Sequence, residues 1–123
     1  MMTDKSTIQL SAIATARSGD KGNHANIGVV AFTKTGFDYL REQLTEEEVA
    51  KAFASLNPSK IERYELPKVW ALNFVLYNAL GGGAGKSLQI DTQGKLLGTA
   101  ILEIELPKPP NLEDMTQDGR TDP

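Results

Sequence analysis

Between Arg17 and Asn26 the chain reads RSGDKGNHAN, a run in which nearly every residue could bind or move a charged group. Arg17 and Lys21 supply positive charge, Asp20 a carboxylate, Ser18 a hydroxyl, and Asn23 and Asn26 amides. Gly19 and Gly22 add bare backbone N–H groups and freedom for positive φ. A loop of this make-up can fold into a concavity whose N–H groups converge on a phosphate or carboxylate. The same residues also suit a polar hairpin connection, since Gly, Asp, Asn and Ser each favour turns for local reasons. Both readings stand on the residues alone.

Other chemistries are excluded by count and order. His24 is the single histidine and cysteine is absent, so disulfides, thiolate centres and multi-histidine metal sites are ruled out, and no metal is expected. A Ser18, Asp20, His24 triad would crowd into one loop three groups that normally come from separate elements. Gly81, Gly82, Gly83 and Gly85 followed by Lys86-Ser87 suggest a phosphate loop, but Leu80 stands where the first glycine is required. No glycine cluster has a dinucleotide fingerprint, and no cofactor is expected. A net charge of −3 argues against nucleic acid and anionic membranes. The N-terminus lacks the apolar core of a signal peptide and no segment is long enough to span a bilayer, which points to a cytoplasmic protein.

The elements that must position these residues follow from periodicity. Thr7 to Ala16 alternates as a half-buried strand, and Ile27 to Phe32 reads as a central strand, with the polar loop at their joined end. Phe37, Leu40 and Leu44 recur at helical spacing. Thr45 with Glu48 forms a capping box that starts a second helix carrying Val49, Ala52 and Phe53. The triplet Glu46 to Glu48 belongs to that helix start and not to a catalytic site. Ile61 to Leu66 is a charged edge strand with Glu62, Tyr64 and Leu66 on one face. Pro67 opens a helix to about Leu80, with a core stripe of Val69, Leu72, Leu76 and Leu80 and an aromatic row of Trp70, Phe74 and Tyr77. That row is expected to meet a partner domain or a second copy, and Asn73 is either a satisfied core amide or a ligand contact. Ser87 to Asp91 and Lys95 to Leu106 read as a hairpin, and 107–123 as a flexible tail after a single domain, 1–106.

Two blocks, ARSGDKGNHANIGV and ELPKVWALNFVLYNALGGGAGKSL, resemble the small C-terminal domain of the AtuA-like (acyclic terpene utilisation) family over about Thr7 to Leu106. The resemblance implies a ferredoxin-like fold, a domain that elsewhere follows a much larger one, and a role in isoprenoid or acyl-CoA breakdown. It agrees with the α+β sandwich read from the elements: an open sheet of about five strands with helices on one face. The expected ligand site comprises Arg17, Ser18, Asp20, Lys21, Asn23, Asn26, Asn73, Gly81, Gly82 and Gly83, facing an acyl-CoA or carboxylate. The function expected is a non-catalytic accessory subunit that docks to a separately encoded larger AtuA-like domain or to itself through Trp70, Phe74 and Tyr77. The alternative is a small hydratase- or lyase-type enzyme acting on an acyl-CoA or carboxylate.

Overall fold

A computed structural model describes residues 6–79 and 97–117. The chain runs through β1 (Thr7–Gln9), a 3-10 turn, β2 (Ala14–Lys21), β3 (His24–Ala31), α1 (Lys34–Gln43), α2 (Glu46–Ala52), β4 (Lys60–Leu66), β5 (Ala71–Tyr77) and β6 (Glu105–Pro107), with residues 97–101 helical. Strands β2, β3, β5 and β4 lie side by side, all antiparallel, while β1 and β6 form a separate two-stranded sheet. This is the α+β, ferredoxin-like arrangement expected, with four strands in the main sheet instead of about five.

One face of the main sheet carries the core. Ala25, Ile27 and Val29 of β3 and Leu72, Phe74 and Leu76 of β5 are fully buried against Phe37, Leu40 and Leu44 of the α1 segment, Val49 and Phe53 of the α2 segment, and Leu97 and Ile101. Alternate residues point to opposite faces of a strand, so the intervening residues of the same strands face away from the helices. Thr45 caps α2 as expected, its hydroxyl accepting from the Glu48 amide at 3.2 Å. Thr33 does the same for α1, from Gly36 at 2.9 Å. Edge strand β4 is tied to this layer by Arg63, whose guanidinium donates to the carbonyls of Arg41 and Leu44 at 2.9 Å each. Those carbonyls belong to the end of α1, where a cation also meets the negative end of the helix dipole.

Three expectations are corrected. The helix read from Pro67 to Leu80 is a one-turn 3-10 segment, Pro67–Val69, followed by strand β5. Leu72 and Leu76 are four apart, which fits period two as well as period 3.6, and the aromatic and β-branched content of this stretch suits a strand between two others. Phe74 is buried completely, so it cannot belong to a docking row, whereas Trp70 and Tyr77 keep exposed surface. Lys95 to Leu106 was expected as one strand. It is helical over 97–101, with Leu97 and Ile101 buried at a spacing of four, and only Glu105–Pro107 is extended. The expected partner strand, Ser87 to Asp91, lies outside the described residues. The segment after Leu106, expected as a tail, packs as far as residue 117: Met115 joins the core, and the Thr33 hydroxyl donates to the Asp114 carbonyl at 2.9 Å. Among the described residues no helix is long and apolar enough to cross a membrane.

Candidate functional site

The polar run at 17–26 is strand rather than loop. Pairing between β2 and β3 continues without a break from Ala14 opposite Ala31 to Lys21 opposite His24, leaving Gly22 and Asn23 as a two-residue turn. Gly22 has φ 65, which a glycine at the first turn position adopts without strain. The pleat therefore divides the expected site residues between two faces. Ser18 and Asp20 share the parity of the buried positions, and the Ser18 hydroxyl accepts from the Gly98 amide at 3.0 Å beneath the 97–101 helical segment. Asn23 sits at the exposed turn. Arg17, Asn26 and Asn73 occupy the opposite face, free of helix among the described residues; Lys21 is the last paired position of β2, opposite His24, and Gly81, Gly82 and Gly83 lie outside the described residues.

Across that open face the register sets residues in rows. Thr15, Val30, Ala71 and Leu66 form one; Arg17, Gly28, Asn73 and Tyr64 the next; then Gly19, Asn26, Val75 and Glu62. The two ends of the face differ in character. Val30, Leu66, Val69 and Trp70 gather at the end where β4 turns into β5, and between 36% and 59% of the surface of each is exposed. Trp70 holds this corner with φ 57, a left-handed conformation uncommon for a bulky residue, and its carbonyl accepts from the Ala31 amide at 2.9 Å.

A polar cluster occupies the other end. Glu62 Oε1 accepts from the hydroxyls of Tyr64 at 2.5 Å and Tyr77 at 2.8 Å, and Oε2 meets Lys60 Nζ at 2.9 Å. Bonds from Tyr64, then Lys60 and Tyr77, pull the Glu62 carboxyl down to about 2. The bond to Glu62 drives the Tyr64 phenol up to about 12 and raises Tyr77 and Lys60 as well. His24 packs edge-on against Tyr77, and its Nδ1 accepts from the Asn78 amide at 2.9 Å, which places the ring proton of the neutral imidazole on Nε2. Every polar group of the Glu62 cluster is engaged with another. It fixes charge in place and is not poised to exchange protons near neutrality.

The shared face of Glu62, Tyr64 and Leu66 made half of this cluster readable in the sequence. Tyr77 was missed because its segment read as a helix. Of the hollows, one of about 420 Å³ lies between α2 and β4, lined by Glu46, Ala50, Ala54, Pro58 and Ile61, away from the expected residues. A second, about 270 Å³, is bounded by Ala16, Arg17, Ser18, Gly98 and Thr99. Among the described residues no group of His, Asp or Glu could hold a metal ion.

Comparison with curated proteins and with solved structures finds no match. The AtuA ferredoxin-like domain, by contrast, matches the chain over residues 8–107, which takes in β1 through β6 and both ends of the open face but for Thr7. The chain belongs to the AtuA ferredoxin-like domain family.

Proposed function

We propose that this is a non-catalytic accessory domain of an AtuA-like system in isoprenoid or acyl-CoA breakdown, and that it docks onto a larger AtuA-like domain through the corner formed by Val30, Leu66, Val69 and Trp70. The observation that carries the reading is one-sidedness: among the described residues, helices cover one face of the main sheet and none covers the other, whose exposed apolar side chains are concentrated at one corner. Adjoining exposed apolar residues of this kind, including an aromatic anchor, mark sites of protein contact. The left-handed backbone at Trp70 supports it, because strain of that sort persists where a side chain must be presented in one direction.

Charge favours a different protein over a second copy. Among the described residues, Arg17 and Lys60 share the open face with one acidic residue, Glu62, so two copies face to face would set basic surfaces together. A partner with an apolar ridge flanked by carboxylates is complementary. The test is calorimetric titration against a larger AtuA-like domain, with light scattering for the protein by itself. The wild type should bind, and a Leu66→Asp, Val69→Asp double variant should fold normally and lose binding. Equal binding by the double variant, or no binding by the wild type, overturns the reading.

A further inference from the structure

We propose that the open face holds a second, independent feature: a carboxylate-binding notch over Gly28, flanked by Arg17 on one side and Asn73 on the other. Gly28 sits in the middle of β3, an inner strand, where a glycine weakens the sheet by its backbone freedom and by leaving a gap in the side-chain layer. Neither usual excuse applies. Pairing runs unbroken through Gly28 on both sides, to Arg17 and to Asn73, so there is no bulge, and its φ is not left-handed. Nor does packing demand it, because a Cβ built there would meet only Asn73 Oδ1, at an ordinary 3.7 Å. What remains is a place where something else approaches the backbone closely.

The neighbours indicate what that something is. Arg17 is exposed and makes no ion pair or side-chain hydrogen bond among the described residues. The side-chain amides of Asn73 and Asn26 are likewise unengaged there, although Asn73 is half-buried at the centre of the sheet. Adjacent strands are about 4.8 Å apart, so the Cα atoms of Arg17 and Asn73 stand roughly 10 Å apart with only backbone between them. That gap admits a few heavy atoms. A guanidinium fork pairs a planar carboxylate through two parallel hydrogen bonds, and an amide, which turns either end inward by a flip, donates one more. The ligand class is therefore a small carboxylate lying across Gly28. Among the described residues it is uncharged groups and Arg17 that line the notch, since the one carboxylate they place on this face, Glu62, is one row further on and already engaged by Lys60.

The experiment is a two-dimensional amide NMR titration of the full chain with sodium acetate and with sodium succinate, sodium chloride serving as the ionic-strength control. Saturable shifts are expected at the Gly28 and Asn73 backbone amides and the Asn73 side chain, produced by carboxylate and not by chloride. Arg17→Gln should weaken the effect at least tenfold. Gly28→Val should melt at or above the wild-type temperature and yet lose the shifts, a pairing that a purely structural glycine would not produce. Identical shifts with chloride, or shifts that survive in either variant, overturn the inference. Leu66→Asp should leave the shifts intact, which separates this site from the docking corner.

Discussion

The Tyr64 hydroxyl donates to Glu62 Oε1 at 2.5 Å, along one strand and on one face of the sheet, because residues two apart in β4 point the same way. Tyr77 reaches the same oxygen from the neighbouring strand. The carboxylate thus locks two strands together, and its titration should report on the whole face.

The sign follows from the shifts. The folded Glu62 carboxyl takes up its proton near 2, against an ordinary 4.5, so its contribution to stability is whole above pH 4.5, declines below it and is gone beneath about 2. Tyr64 works from the other side: its contribution is whole below pH 10 and is lost as pH rises through about 12. Absorbance titration of the tyrosinates should show Tyr64 ionising well above its ordinary 10.0, with Glu62→Gln returning it toward that value. A Tyr64 that ionises normally in the wild type would contradict the cluster.

Arg63 should matter more to stability than any other charged residue of β4. Its guanidinium satisfies two carbonyls at the end of α1 and its side chain is only 18% exposed. Arg63→Ala is expected to cost about 1–2 kcal/mol in urea unfolding. Arg63→Lys should recover only part, since one ammonium must stand in for an Nη1 that reaches both carbonyls and an Nη2 that holds Glu65.

Trp70 should invert the usual ranking of small residues. At φ 57 a Cβ is unfavourable, so Trp70→Gly should be more stable than Trp70→Ala by about 1 kcal/mol, whereas in an ordinary strand or helix alanine wins. Thermal melts of the two variants decide it. Alanine above glycine would mean that the left-handed conformation is not held in solution.

Phe74 and Tyr77 were expected on one helical row and should behave quite differently. Phe74→Ala removes a fully buried ring and should cost about 3–5 kcal/mol. Tyr77→Ala, on the half-buried open face, should cost far less. Similar values for the two would favour the helix over the strand.

Gly98 is held by contact and not by conformation. A Cβ there would stand 3.2 Å from Ser18 Oγ and 3.3 Å from the Ser18 backbone nitrogen, in a place where the strand cannot give. Gly98→Val should therefore lower stability by about 1–3 kcal/mol, measured by chemical unfolding.

Local signals were enough for much of this protein. The capping box at Thr45, the break between two helices, the alternation of Ile61 to Leu66 and the turn chemistry of Gly22-Asn23 are set by residues within a few positions of one another. The family blocks were legible too, and with them the α+β class. Tertiary structure decided the rest, wherever one spacing served two periods. Leu72 and Leu76 fit a helix or a strand equally, and it was pairing with β3 on one side and β4 on the other that made Ala71–Tyr77 extended. The site followed from that choice. Arg17, Asn26 and Asn73 share a face only because the pleat carried Ser18 and Asp20 to the other side, and Tyr77 meets Glu62 only because strands distant in the chain are hydrogen-bonded side by side.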